Sequence, residues 1–93
     1  MLLIHGSAVP KPEHRDYLIE AAAKITRATQ SDEGCLFYEF SISLDGRAIT
    51  SVEIWRDREA LDAHMSHPHT IEFMNGLGDI FVTPPTMTES KLN

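Results

Sequence analysis

Residues 35–56 read CLFYEFSISLDGRAITSVEIWR, and this segment decides the fold. Its two ends, residues 35–44 and 47–56, are rich in aromatic and β-branched side chains, which favour extended strands. Asp45 and Gly46 lie between them, and an Asp-Gly pair is a strong hairpin signal because glycine tolerates positive φ. The segment therefore predicts two antiparallel strands joined by a tight turn.

The predicted turn also determines which side chains share a face, because directly opposed residues in a hairpin point to the same side of the sheet. A two-residue loop makes three central pairs: Leu36 with Trp55, Tyr38 with Glu53, and Phe40 with Ser51. The first face then carries Leu36, Tyr38, Phe40, Ile42, Leu44, Ile49, Ser51, Glu53 and Trp55. The second face mixes polar residues with Phe37, Val52 and Ile54. We expect the first face in the core and the second against the sheet of another subunit.

The flanking segments complete an α+β pattern. Residues 2–9 are apolar and small and stop at two prolines, which predicts a first strand. Residues 13–30 carry apolar side chains at helical spacing, and residues 57–77 do so again, with Asp57 as a suitable N-cap. Residues 86–92 have a weak strand pattern. The order βαββαβ predicts a ferredoxin-like fold with an antiparallel sheet and helices on one face, in a single domain of residues 1–93.

Composition excludes several classes of partner. The 93 residues include 8 Lys and Arg against 14 Asp and Glu, for a net charge of −6. Nucleic acids and anionic membranes are poor partners for such a chain, because binding them depends on clustered positive charge. No segment resembles a signal peptide or approaches the roughly 20 apolar residues that span a bilayer. We therefore expect a cytoplasmic protein, and its small size favours a homo-oligomer.

The predicted core face holds three polar groups among apolar neighbours: Tyr38, Glu53 and Trp55. A buried carboxylate resists ionisation unless it is hydrogen-bonded, so its pKa rises and it becomes usable as a general base. The structural alternative is that Glu53 simply accepts a hydrogen bond from Tyr38 or a backbone amide. Both interpretations stay open on the sequence.

A metal site is the other candidate, because His64, His67 and His69 lie close together and histidine is the commonest nitrogen ligand. The spacing argues against it. His64 and His67 are three residues apart on a helix, Pro68 breaks the turn before His69, and no carboxylate or cysteine completes a known pattern. We predict no metal site. The sequence also lacks a glycine-rich nucleotide loop and a nucleophile elbow, which argues against nucleotide cofactors and hydrolase triads.

A family resemblance rests on two segments: Gly34-Cys35-Leu36-x-Tyr38 and Glu53-x-Trp55-x-Asp57-x-x-Ala60-Leu61-x-x-His64-x-x-x-Pro68-His69. They resemble the antibiotic biosynthesis monooxygenase family, and the resemblance covers essentially the whole chain. It implies a homodimeric α+β barrel with a pocket between the sheet and the helices. Family members include cofactor-free oxygenases of quinols and anthrones, haem-degrading enzymes, a sugar-phosphate isomerase and proteins with no known activity.

The resemblance also implies roles for individual residues. Tyr38 corresponds to the pocket tyrosine, Trp55 to the pocket aromatic and His64 to the helix-borne histidine. The catalytic candidates are His64, Tyr38, Trp55 and Glu53. The expected substrate contacts are His5, Phe40, Ser51, Leu61 and Phe73.

The implied reaction is the oxidation of a small phenolic or quinol-type substrate by O₂ without metal, haem or flavin. A base removes the phenolic proton, and the resulting anion passes an electron to O₂. Three alternatives remain: a non-catalytic barrel that binds a small aromatic metabolite, a haem-degrading member or an isomerase member. His5 stands about where the haem-degrading branch has asparagine, which counts against haem.

Overall fold

The structure is a computed structural model that describes residues 1–92. Asn93, the last residue of the predicted domain, lies outside the described residues. The strands are β1 (Leu2–Ala8), β2 (Cys35–Ile42), β3 (Ile49–Trp55) and β4 (Thr86–Lys91). The α-helices are α1 (Arg15–Thr29), α2 (Arg58–Ser66) and α3 (Pro68–Asn75), and a short 3₁₀ turn at Pro12–His14 precedes α1. Within residues 1–92, no helix combines the length and apolar character needed to cross a membrane.

The four strands form one antiparallel sheet in the order β2-β3-β1-β4. β4 is weakly patterned in sequence, but it pairs with β1 over its whole length, from Leu2 opposite Lys91 to Ser7 opposite Thr86. The predicted α+β, ferredoxin-like fold is confirmed.

The hairpin register is confirmed at its centre and wrong at one end. Tyr38 lies opposite Glu53 and Phe40 lies opposite Ser51, as predicted. Trp55, however, faces Cys35 because the register shifts between Cys35 and Phe37. Such a bulge inserts one extra residue into a strand and leaves it unpaired. Leu36 is that residue, and its side chain is exposed rather than in the core.

The hairpin connection is also longer than two residues. The amide of Ser43 donates to the carbonyl of Ala48, so residues 44–47 form the loop. The Asp45 carboxylate accepts from the Ser43 hydroxyl at 2.7 Å and from the Arg47 amide at 3.0 Å, which stabilises the turn. Gly46 has φ +75°, as the Asp-Gly signal requires. Leu44 lies in this loop and Ile42 at the end of β2, and both are exposed rather than in the core.

Two helices replace the single helical segment predicted for residues 57–77. Asp57 caps α2 as predicted, because its side chain accepts from the amide of Ala60 at 2.8 Å. His67 is extended, with ψ 143°, so it ends α2 and lets Pro68 begin α3. Proline favours an extended residue before it, which explains the break. The break places His67 and His69 near each other on one side of the chain.

The helices cover one face of the sheet, and the first face of the hairpin is the buried one. The main core cluster consists of Ile4, Ile25, Tyr38, Trp55, Ala60 and Leu61. We call the opposite side the open face; its central residues are His5, Phe37, Val52 and Ile54. His5 and Phe37 are exposed, while Val52 and Ile54 are half-buried. One sheet face therefore remains uncovered within the described chain.

Candidate functional site

A cavity of about 200 Å³ lies between the buried sheet face and the helices. Most of its wall is apolar, including Leu18, Ile25, Ile49, Met74 and Leu77. Six of the nine residues predicted for the site also line it: Tyr38, Phe40, Ser51, Glu53, His64 and Phe73. The hairpin supplies four of them and the two C-terminal helices supply two, so the register of β2 and β3 builds one wall.

Trp55 and Leu61 do not line this cavity. Trp55 is completely buried, and its indole Nε1 donates to Oε1 of Glu53 at 2.9 Å. Leu61 is buried in the main core cluster. Both residues therefore lie in the core between the sheet and the helices rather than in the cavity wall. The indole of Trp55 acts on the site by holding Glu53.

His5 does not line this cavity either. It lies on the open face between Val52 of β3 and Thr88 of β4. Side chains alternate along a strand, and Ile4 and Gly6 are the β1 residues buried on the helix side. The apolar run of residues 2–4 does not reveal this alternation, so the sequence did not indicate the face of His5.

His64 connects the cavity to a carboxylate that the sequence did not suggest. Its Nδ1 lies 2.8 Å from Oδ2 of Asp32 and 3.3 Å from the hydroxyl of Thr70. His69 also approaches Asp32, with Nε2 3.0 Å from the same oxygen. Asp32 follows α1 in the loop that the sequence shows only as a turn, 32 positions before His64. Nothing in the local pattern predicts that long-range contact.

The ionisation of Asp32 determines the tautomer of His64. Burial alone would raise the pKa of Asp32, but hydrogen bonds from His64 and His69 and the charges of His69 and His67 outweigh it and lower that pKa below 3.8. An ionised carboxylate only accepts hydrogen bonds, so Nδ1 of His64 is the donor. Nε2 has no hydrogen-bond partner within residues 1–92, and His64 is one of the residues that line the cavity. With the proton on Nδ1, Nε2 of the neutral imidazole is free to accept a hydrogen bond.

Tyr38 and Glu53 form the polar part of the cavity wall. Burial and the nearby Glu53 carboxylate raise the pKa of Tyr38 well above its ordinary value, so its phenol stays protonated and can donate. Burial also raises the pKa of Glu53, although the hydrogen bond from Trp55 and the charge of His64 oppose the rise. The ring of His64 lies edge-on to Tyr38, with centroids 5.6 Å apart. The site thus combines an imidazole, a phenol that keeps its proton and an apolar wall.

The chain is similar in sequence to proteins of one family. The profile described as antibiotic biosynthesis monooxygenase matches residues 1–76. A Mycobacterium tuberculosis protein, Rv0793, named provisionally as a monooxygenase, is 29% identical over 80 residues, which are 86% of this chain and 79% of that protein. A Synechocystis protein named as uncharacterised, sll1783, is 26% identical over 84 residues, covering 89% of this chain but 57% of its own length.

Solved structures share the fold. The structure of Rv0793 from Mycobacterium tuberculosis matches with a TM-score of 0.92 at 26% identity, covering 99% of this chain and 95% of that chain. A conserved protein from Methanosarcina mazei matches with a TM-score of 0.92 at 20% identity, covering 99% of this chain and 92% of that chain. The second likeness concerns the fold alone.

Proposed function

This chain belongs to the antibiotic biosynthesis monooxygenase family, and on that premise we propose that it oxidises an electron-rich phenol or quinol with O₂ and needs no metal, haem or flavin. The observation that carries the proposal is the pairing of His64 Nδ1 with Asp32 at 2.8 Å, which leaves Nε2 as the free nitrogen of a histidine that lines the cavity. A histidine oriented by a carboxylate in this way is a common arrangement for a general base.

The proposed reaction begins when Nε2 of His64 removes the phenolic proton of the substrate. The electron-rich anion reduces O₂ by one electron, and the two radicals combine at a ring carbon that carries hydrogen. His64 returns its proton to the peroxide, and the outer oxygen atom then leaves as water together with that proton and the carbon-bound hydrogen. The product is a quinone from a phenol and a hydroxyquinone from a hydroquinone, so one atom of O₂ enters the product and the other leaves as water.

The remaining polar residues stabilise the charge that this reaction develops. Tyr38 keeps its proton and donates a hydrogen bond to the oxyanion, an effect that is strongest in a site that excludes water. Asp32 stabilises the imidazolium that forms on His64. Phe40 and Phe73 lie 6.0 Å apart between ring centroids and supply an aromatic wall for a flat substrate.

The size of the cavity favours a single-ring substrate. A dry cavity of about 150 Å³ holds benzene, and pockets for drug-sized ligands measure about 300–1,000 Å³. The cavity of about 200 Å³ lies near the lower figure. We propose substituted hydroquinones and monocyclic phenols ahead of three-ring anthrones.

Oxygen uptake tests the proposal. Purified protein with a metal chelator is mixed with monocyclic hydroquinones and with an anthrone, and O₂ consumption and quinone formation are recorded. We expect one quinone per O₂ with the small substrates and a slower reaction with the anthrone. Saturable binding of the same compounds without O₂ uptake would instead favour a non-catalytic barrel that binds aromatic metabolites.

We propose further that residues 1–93 act as one domain in a cytoplasmic homodimer. Support comes from the open face, where Phe37 is exposed beside the half-buried Val52 and Ile54. A second copy of the same face would bury these side chains in a symmetric contact. Both subunits would then contain a cavity of their own on the helix side of the sheet.

A further inference from the structure

We propose that Asp32, His64 and His69 bind one divalent cation of the zinc type per chain. Their ligand atoms all lie within 4.8 Å of one another, although the residues come from three different parts of the chain. This cluster reverses the expectation of no metal site, because the structure adds the carboxylate that the histidine spacing lacked. Binding of the cation does not depend on the proposed oxygenase activity.

The distances place the three ligand atoms around one point. Oδ2 of Asp32 lies 2.8 Å from Nδ1 of His64 and 3.0 Å from Nε2 of His69. Zinc binds nitrogen and carboxylate oxygen at about 2.0–2.2 Å in a tetrahedron, so its ligand atoms lie roughly 3.4 Å apart. The two distances to Asp32 therefore need to open by only about half an ångström, and the two imidazole nitrogens lie within 4.8 Å of each other. The side chains of His64 and Asp32 are 3% and 6% exposed, so burial holds them in place.

His67 is available as a fourth ligand. Its Nε2 lies 3.7 Å from Oδ1 of Asp32, and its ring stacks on His69 with centroids 5.0 Å apart. The side chains of His67 and His69 are 42% and 26% exposed, so they can adjust to a cation more easily than His64 can. Three imidazoles and one carboxylate would complete a tetrahedral coordination.

The chemistry of these ligands selects the class of cation. Imidazole suits zinc and its neighbours in the first transition series, whereas magnesium and calcium prefer oxygen ligands. Two or three histidines with a single carboxylate therefore favour Zn²⁺, with Co²⁺ as a spectroscopic substitute. The net charge of the chain is −6, which also attracts a cation.

A cation bound at this site would change the role of His64. This consequence rests on the proposed function. A cation bound at Nδ1 displaces the proton there, so a neutral imidazole carries its proton on Nε2. Nε2 would then donate to a ligand in the cavity and could not act as a base. Zn²⁺ would therefore inhibit the proposed reaction while leaving the cavity open.

Calorimetric titration without substrate tests the binding itself. Tag-free protein is stripped with chelator, dialysed and titrated with Zn²⁺, and Co²⁺ binding is followed by its visible absorption. We expect one cation per chain for the wild type and for the control His14→Ala, because His14 lies away from the cluster on the N-terminal side of α1. His69→Ala should bind at least about tenfold more weakly, as expected when a metal site loses an imidazole.

The same titration can overturn the proposal. The absence of saturable binding by the wild type, or equal affinity in wild type and His69→Ala, would show that the cluster is only a hydrogen-bond network. His69→Gln serves as a second variant if His69→Ala does not fold, with circular dichroism as the check. Unchanged affinity in His67→Ala would remove His67 from the coordination. Failure of oxygen uptake alone would not affect any of these outcomes.

Discussion

Replacing Asp32 by alanine should destabilise the protein strongly, because one side chain accepts hydrogen bonds from two imidazoles. Its bond to His64 is buried, and a hydrogen bond to a charged group contributes about 1.5–3 kcal/mol. Its bond to His69 is partly exposed and adds up to about 1 kcal/mol. The expected loss is roughly 1.5–4 kcal/mol, which lowers the Tm of a domain of this size by about 6–30 °C.

Urea and thermal unfolding in the presence of chelator measure this loss without any contribution from a bound cation. Glu33→Ala is the matched control, because Glu33 is the adjacent carboxylate and is exposed. Its free energy of unfolding should stay within about 0.5 kcal/mol of the wild type. If Asp32→Ala were equally close to the wild type, the Asp32–His64 pair would not contribute to folding, and the orientation of His64 would lose its basis.

Three further predictions follow from other parts of the structure. Val52→Asp should dissociate the dimer, as measured by light scattering, because it places a charge on the open face. The control Ile71→Asp, on the exposed side of α3, should remain dimeric. A dimeric Val52→Asp variant would refute this assignment of faces. The pKa of Glu53 is raised above 4.5, so its stabilising contribution is present below that value and is lost as the pH rises through its folded-state pKa. Glu53→Gln should therefore gain stability relative to the wild type in urea unfolding between about pH 4.5 and neutrality, and a constant difference would contradict the raised pKa. Hemin should give no saturable Soret shift at one equivalent, because the cavity of about 200 Å³ is below the roughly 300 Å³ of pockets for drug-sized ligands; a tight one-to-one titration followed by ascorbate-driven bleaching would favour haem degradation.

The sequence predicts those parts of the fold that depend on local patterns. The Asp-Gly turn and the alternation around it place Tyr38 opposite Glu53, and the N-cap at Asp57 locates the start of α2. The bulge beside Leu36 is not predictable in the same way, because an extra residue in a strand changes no local propensity. The sequence also does not show which side chains of β1 face the helices, because the first residues of this strand are apolar on both faces.

The candidate site likewise contains residues that the sequence predicts and residues that it does not. Four of the six predicted residues that line the cavity do so because the hairpin register determines which side chains face the helices. The sequence does not predict the role of Asp32, because its partners His64 and His69 lie on distant helices. Only helix packing, such as that of α1 against α3, brings these residues together. The depth of Trp55 behind Glu53 also depends on tertiary packing rather than on sequence spacing.

The central claim is that His64 is the base of an oxygenation within the cavity. Its most direct test is to measure the product formed from a monocyclic hydroquinone under ¹⁸O₂ in the presence of chelator. The account predicts one ¹⁸O atom in each quinone formed by the wild type and by His14→Ala. It also predicts a rate at least about tenfold lower for folded His64→Ala, at or below the lower end of general-base effects. Equal rates of labelled product from wild type and His64→Ala, or no labelled product from the wild type, would contradict it.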